Sequence, residues 1–473
     1  MGENTVGRPR ADGVAAFEVY VHVPFCLRRC GYCDFNTYTA TDLGGGASRE
    51  HYADLAIGEM ETVARWQEAH GVREPAASTV FFGGGTPTIL PADDLIRMVR
   101  SVDRIWGLAP GAEITTEANP DTVDPAYLAR LKEGGITRVS FGMQSAVPKV
   151  LKTLDRTHTP ANVASNVAAA RKVGLECSVD LIYGTPGEGL EDWRTSLQAA
   201  LDLGVGHVSA YALTLEPTTK MGRAVRAGRL AGPDDDDEAA KYELADDMLT
   251  AAGLHWYEIS NWARPGHESR HNLGYWRNVD WAGIGPGAHS HYNLATLSGH
   301  LHQRGGPSRA GQDRDSFRRT RGEDRHAGGA GDLGVAIEED RLDTAPDPST
   351  LPGGGTDPSR GLPSAPMRAW DLAHPRKWAE ALTSGRVPWA GSEVIGPAEA
   401  IEEAVMLGLR LSEGLDLASV EGRCGRRADP DRIGGLISQG LVCERSGRLI
   451  PTRRGRLVND LVVQGVLEAV GVW

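Results

Sequence analysis

No part of the sequence approaches the ~20 consecutive apolar residues that a membrane-spanning helix requires, which argues against an integral membrane segment. The N-terminus, Met1–Gly13, is polar, charged and glycine-rich, and lacks the apolar centre of a secretory signal. Positive charge is in the minority. Lys and Arg total 50 against 63 Asp and Glu, a net charge of −13. Such a balance argues against a general nucleic-acid binder, which presents a basic face to phosphates. Cysteine is scarce as well: six in 473 residues do not suggest a disulfide framework. These absences point to a cytoplasmic protein in a reducing compartment. At roughly 100–200 residues per domain the length suggests two or three domains.

What the sequence does contain is a repeated pattern from Glu18 to about Lys220. Short β-rich runs (Glu18–Val23, Thr79–Phe82, Glu113–Thr116, Arg138–Phe141, Glu176–Ile182 and Val208–Leu213) alternate with amphipathic stretches (Glu50–Ala69, Pro91–Ile105, Pro125–Glu133, Pro160–Val173 and Leu190–Leu203). Strands alternating with helices read as βαβ units around a parallel sheet. Six units are too few for a closed eight-stranded barrel, so an α/β partial (β/α)6 barrel is expected. Ligands of such folds sit at the C-terminal ends of the strands.

Residues 14–235 are read as this barrel and residues 236–297 as its extension. The segment Ser298–Pro366 differs. It holds 13 Gly and 7 Pro, and Phe317 is its sole aromatic, a composition that reads as a disordered insertion. From 367 to 473 a second domain is expected. A helix over Ala398–Leu411, helix–turn–helix-like text ending Leu436–Gly440, a hairpin around Ser446-Gly447 and a last helix Arg454–Val470 suggest a winged-helix-like α+β domain. Ser392–Trp473 carries 10 basic and 12 acidic residues, so a structural or lid role is favoured over DNA binding.

Three of the six cysteines fall within eight residues, in Phe25-Cys26-Leu-Arg-Arg-Cys30-Gly-Tyr32-Cys33-Asp-Phe35, directly after the first strand. One compact loop thus supplies three thiolates. A four-iron cluster takes four ligands, so three leave one iron open to chelate the amino and carboxylate groups of a small molecule. The alternative is zinc, which wants four ligands in paired spacing. No second Cys pair stands at suitable spacing, so zinc would need His22 or a distant Cys.

Cys-x3-Cys-x2-Cys behind a first strand, with aromatic Tyr32 just before the last Cys, resembles the radical-SAM superfamily. The resemblance runs over Glu18–Asn293 and again over Met367–Trp473. It implies a [4Fe-4S] cluster on Cys26, Cys30 and Cys33, S-adenosylmethionine on the open iron, an electron donor as partner, and cleavage to a 5′-deoxyadenosyl radical. Further motifs match in order. Phe81-Phe-Gly83-Gly84-Gly85-Thr86-Pro87-Thr88 follows the second strand, and the resemblance gives Gly84, Gly85 and Thr86 to the methionine end of S-adenosylmethionine. Glu117 in Thr115-Thr-Glu-Ala-Asn-Pro120, Gln144, Arg156 and Asp180 come at later strand ends. By resemblance to coproporphyrinogen dehydrogenase these four and Tyr20 belong to nucleotide sites, with Gln144, Arg156 and Asp180 matching a second S-adenosylmethionine. Tyr32 is counted with the cofactor-binding residues.

Two branches of the family share this architecture, and two features separate them. Dehydrogenases carry a further Cys two residues after the third, where this chain has Phe35. Arg270-His271-Asn272-Leu-Gly-Tyr275-Trp276 matches the His-Asn-x-x-Tyr-Trp pattern of the heme chaperone (HemW) branch. Chemically, neutral imidazole is a good axial iron ligand. Tyr275 and Trp276 can stack on a flat macrocycle, and Arg270 or Arg277 can pair with propionates. His289 and His291 are alternative iron ligands. The resemblance therefore implies a protein that binds heme and passes it to heme-accepting proteins such as respiratory membrane enzymes. The alternative is an oxygen-independent coproporphyrinogen III dehydrogenase, and a winged-helix transcriptional regulator is the third reading.

Overall fold

The computed structural model describes residues 16–293 and 365–472. The polar N-terminus Met1–Gly13 lies outside the described residues, and so does the Gly/Pro-rich insertion but for its last two residues.

Strand β1 (Phe17–Val23) shows how the fold is built. Its alternate residues Phe17, Val19, Val21 and Val23 are fully buried in the main core, together with Met60, Val63 and Leu95 of neighbouring helices. The residues between them, Glu18, Tyr20 and His22, face the other way. Parallel strands covered on both faces by helices usually read as continuous apolar runs. Here the inner face is polar, as expected of a wall that surrounds a ligand space.

The strands that follow are β2 (Ala77–Gly84), β3 (Leu108–Ala118), β4 (Arg138–Gln144), β5 (Glu176–Tyr183) and β6 (His207–Ala212). They pair in parallel in chain order from β1. The short strands β7 (His255–Glu258) and β8 (Asn261–Ala263) close one flank, with β8 antiparallel to β6. On the other flank β9 (Asp280–Ile284) adds a seventh parallel strand beside β1. The six expected units are therefore present, and among the described residues no pairing closes the sheet.

Beyond β9 the sheet continues through antiparallel β10 (His289–Tyr292), β11 (Met367–Asp371) and β12 (Trp389–Val394), giving twelve strands. The helix Pro375–Thr383 between the last two sends Trp378 into the main core, stacked on Tyr52 at 5.9 Å. This corrects the expected boundary at residue 367. The segment Met367–Val394 belongs to the large sheet, because the free edge of β10 takes β11 as its partner across the insertion. The second hydrophobic cluster draws on Ile401 and residues after it.

That cluster joins helices Pro397–Gly408, Leu417–Cys424, Pro430–Ser438 and Asn459–Val470 with a small sheet of β13 (Leu415–Asp416), β14 (Val442–Arg445) and β15 (Arg448–Pro451). Ser446 and Gly447 turn the hairpin with positive φ at both positions, 51° and 77°, as a type I′ turn requires. The expected last helix is split. A short helix Arg453–Leu457 ends at Val458, and Asn459, whose side-chain amide donates to the Leu409 carbonyl, begins the second.

Two buried polar pairs lock the barrel. Lys241 on helix Asp235–Ala251 has no exposed side-chain surface and reaches the Glu188 carboxylate at 3.3 Å and its carbonyl at 3.0 Å. Breaking a buried pair strands the remaining charge, so Lys241→Met is expected to cost roughly 3–5 kcal/mol, read as a lower denaturant midpoint.

Glu59 and Asp371 form the second pair, beside the Gly285 amide and the Trp378 indole, which both donate to Glu59 (2.7 and 3.0 Å). Burial pushes Glu59 up to about 7, and burial with Glu59 beside it holds Asp371 well above the usual carboxylate range. A raised folded-state pKa favours the native state at low pH. That advantage is lost as pH rises from the ordinary value of 4.5 through about 7. Thermal melts across this range should therefore show stability falling with pH, with a shallower slope in Glu59→Gln. An unchanged slope would assign the effect to other groups.

Candidate functional site

The cysteine loop leaves β1 at Val23 and is held at several points. The Cys26 amide donates to Tyr38 O (2.9 Å) and Tyr38 N to Pro24 O (2.7 Å). Asn36 donates to the Pro286 and Ala373 carbonyls at 2.9 and 2.7 Å. His22 is buried beneath the loop, with Nε2 3.0 Å from Asn36 O and Nδ1 3.1 Å from the Tyr20 hydroxyl. On the far side Asp155 pairs with Arg28 (3.2 Å) and Lys220 (2.6 Å), and Met221 N donates to Gly31 O.

The glycine turn after β2 docks directly on this loop. Gly85 N donates to Val23 O and Thr86 N to Phe25 O, both at 2.8 Å. A Cβ at Gly85 would stand 2.7 Å from Phe25 O, and one at Gly84 (φ +100°) would strike the His22 ring. Glycine is needed here for close backbone approach. The amides of Gly85 and Thr86 thus serve the cysteine loop.

All three cysteines are free thiols. The Thr86 hydroxyl donates to Cys26 Sγ at 3.5 Å and Arg156 Nη1 to Cys30 Sγ at 3.6 Å. Burial raises the Cys26 thiol and pushes the Cys33 thiol up to about 11, so metal must displace their protons. Three thiols on one loop, with a hydroxyl and a cation directed at sulfur, fit the ligands of an anionic iron–sulfur cluster. Among the described residues no three His, Cys, Asp or Glu side chains are placed to hold a single metal ion.

Arg156 links the loop to the barrel wall through a 3.0 Å bond to Gly142 O. Next to it β4 ends in a register shift that leaves Gln144 at φ 60°, a strained backbone for a non-glycine residue. This bulge turns Gln144 Nε2 back over Gly142, where a Cβ would lie 2.9 Å away. Tyr32 packs against Val150, Leu154, Ile182, Leu213 and Met221, with Arg156 and Cys30 beside its hydroxyl. Glu117 and Tyr20 flank Gly83. Asp180 accepts from Ser140 (2.9 Å) and Ser209 (2.7 Å), and burial raises its pKa. The structure thus gathers Cys26, Cys30, Thr86, Arg156, Gln144 and Tyr32 at one mouth, with Glu117, Tyr20 and Asp180 on the inner wall.

The His271 motif lies elsewhere. Helix Arg270–Trp276 plugs the opposite end of the barrel, where Glu113 accepts from the Arg270 and His271 amides (3.1 and 3.3 Å). It meets β1 at Glu18, and at about 3.3 Å per residue that is ~15 Å below the cysteine loop. His271 is buried, with Nδ1 2.6 Å from Thr79 Oγ1 and Nε2 2.9 Å from the Tyr275 hydroxyl. Its ring stacks on Phe81 at 5.0 Å, and burial lowers its pKa to about 3. Tyr275 leans on His271 and Trp281, whereas Trp276 lies under Arg410. The two aromatics expected to share a flat ligand therefore have different partners. Asn272 is placed by its amide, which donates to Ser269 Oγ.

Sequence reasoning missed Glu18, Thr79, Glu113, Arg138, Ser140 and Ser209 on the same wall, and Tyr211, which is 36% exposed beside Asp180 and Glu117. A period-two reading of each strand would have found them.

Comparison with known proteins agrees with this geometry. Residues 20–200 match the family model described as the Radical SAM superfamily, and residues 395–458 match the HemN C-terminal domain. A heme chaperone HemW from Mycobacterium tuberculosis is 40% identical over 95% of both chains. That from Escherichia coli is 36% identical over 57% of this chain and 69% of its own. Among solved structures, the radical-SAM coproporphyrinogen III oxidase HemN of E. coli superposes with a TM-score of 0.67 at 17% identity, covering 96% of this chain and 90% of the other, which shows a shared fold. With such identity along nearly the whole of both chains, this protein belongs to the HemW heme chaperone family of the radical-SAM superfamily.

Proposed function

We propose that this chain binds heme and delivers it to heme-accepting proteins, respiratory membrane enzymes among them, and that it works in the cytoplasm. The observation that carries this reading is the 40% identity to a heme chaperone across 95% of both chains. Phe35 supports it: where a dehydrogenase has a further thiol, this chain has an aromatic ring that is 44% exposed. Among the described residues no helix is long and apolar enough to cross a membrane.

In this reading Cys26, Cys30 and Cys33 hold a [4Fe-4S] cluster that, when bound, supplies one electron to S-adenosylmethionine. Thr86 and Arg156 donate to the sulfurs. Gly84, Gly85 and Thr86 bound the methionine end, while Tyr20, Tyr32, Glu117, Gln144, Arg156 and Asp180 offer polar contacts to nucleotide. His271, Asn272, Tyr275 and Trp276 form the heme element. Residues 14–235 would be the radical-SAM partial barrel and 236–297 its extension with the heme motif. The C-terminal unit fits a structural or lid role.

Removing one sulfur tests the cluster. Cys30→Ala should abolish the brown chromophore and S-adenosylmethionine cleavage, and a chromophore that survived in full would refute the ligand assignment. An anaerobic heme titration tests the cargo. The cluster-reconstituted protein should bind heme saturably with a shifted absorption band, and His271→Ala should weaken binding. Unchanged binding in that variant would move the iron ligand to His289, the next candidate. A protein that bound no heme would make coproporphyrinogen dehydrogenase the leading reading.

A further inference from the structure

Helix Arg270–Trp276 is gripped from two sides. Inward, Glu113 holds its first amides, Thr79 holds His271, and Gly274 lies so close to Glu18 that a Cβ would overlap the carboxylate. Outward, the grip comes from the C-terminal unit. The Arg410 guanidinium sits 5.5 Å over the Trp276 ring, and Trp276 lies beside the buried Glu258 carboxyl. Arg277, the residue after the helix, forms a forked pair with Glu413 at 3.0 and 3.3 Å. Between these contacts Leu411 pairs as a β-bridge with Glu258, and Ser412 N donates to Tyr257 O at 2.9 Å. The Tyr257 hydroxyl accepts in turn from Ser269 N, at the start of the same helix. Arg410 and Glu413 thus turn away from the core of their own unit, where Val405, Leu409 and Leu415 pack.

We propose that Arg410–Glu413 is a clasp that sets the position of the heme element, which makes Arg410 and Glu413 positioning residues for heme uptake. The proposal rests on the reading of His271–Trp276 as that element. The ring of His271 is buried, with Nδ1 held by Thr79 on the wall and Nε2 by Tyr275 of the same helix, so iron reaches it only when the helix shifts from the inner wall and Tyr275 turns aside. The inward contacts belong to the barrel itself. The outward ones join two separately packed bodies, and these can loosen without unfolding either core. A site open for a fraction of the time shows an affinity reduced by that fraction, so a tighter clasp slows uptake.

Charge reversal and swap test this in the full, cluster-reconstituted chain. Because Glu413 occupies Arg277, Arg277 serves as a clasp residue and not as a propionate partner. Arg277→Glu and Glu413→Arg should each speed heme association by about 2- to 5-fold, the modest effect expected of a pair one-third exposed. Each should also quicken amide exchange across 270–276 in the heme-free protein. The double variant R277E/E413R should return both readouts to near wild-type values. Faster exchange with an unchanged heme rate would make the clasp a joint only, and would overturn the proposal. So would single variants that alter neither readout, or a double variant that restores neither. A wild type that binds no heme would remove the heme reading and this proposal with it, a result visible before any substitution is made.

Discussion

The site depends on how closely two backbones can approach. Gly85 and Thr86 donate to the carbonyls of Val23 and Phe25 at 2.8 Å, so the turn after β2 lies directly against the cysteine loop. A side chain at Gly84 or Gly85 would separate the two. Three thiols on a loop long enough to be mobile would otherwise lose much conformational entropy when they converge on a cluster. Here the turn, Tyr38, Asn36 and Asp155 fix most of that loop in advance.

The same β1 strand that launches the loop divides the barrel into two chemistries. Its apolar residues face the helices and account for packing, while Glu18, Tyr20 and His22 face inward. A chain of rings follows from this inner wall: Tyr20, Phe81 and His271 stack, Tyr275 leans on His271, and Trp281 on Tyr275. One end of the barrel holds sulfur ligands and a cation. The other is sealed by a helix whose first amides and His271 are engaged by Glu113 and Thr79. The seal is held from outside by Arg410 and Glu413 of the C-terminal unit.

Much of this was legible in the sequence. The six parallel strands, the cysteine loop behind the first of them and the hairpin at Ser446-Gly447 each follow from local rules of period, spacing and turn chemistry. What escaped were features set by contacts distant in sequence. The strand at Asp280–Ile284 is short and flanked by glycine, and it becomes a parallel neighbour of β1 through pairing that no local pattern encodes. Composition drew a boundary at residue 367, yet hydrogen bonding to β10 pulls Met367–Asp371 back into the sheet. His271 illustrates the same limit. Its residue type suits iron, but its distant partner, Thr79, was visible only once the helix was seen against β2.

The pairing of β10 with β11 has a consequence for the variability of the chain. Tyr292 and Met367 face each other across a hydrogen-bonded ladder, so the chain leaves the sheet and returns to it at neighbouring points. Whatever lies between them is, topologically, the connection of a hairpin whose base is already closed. The cost of closing a flexible connection grows only with the logarithm of its length, about 0.6 kcal/mol per doubling. A change in the number of residues between Tyr292 and Met367 should therefore leave the register of the twelve strands almost unchanged.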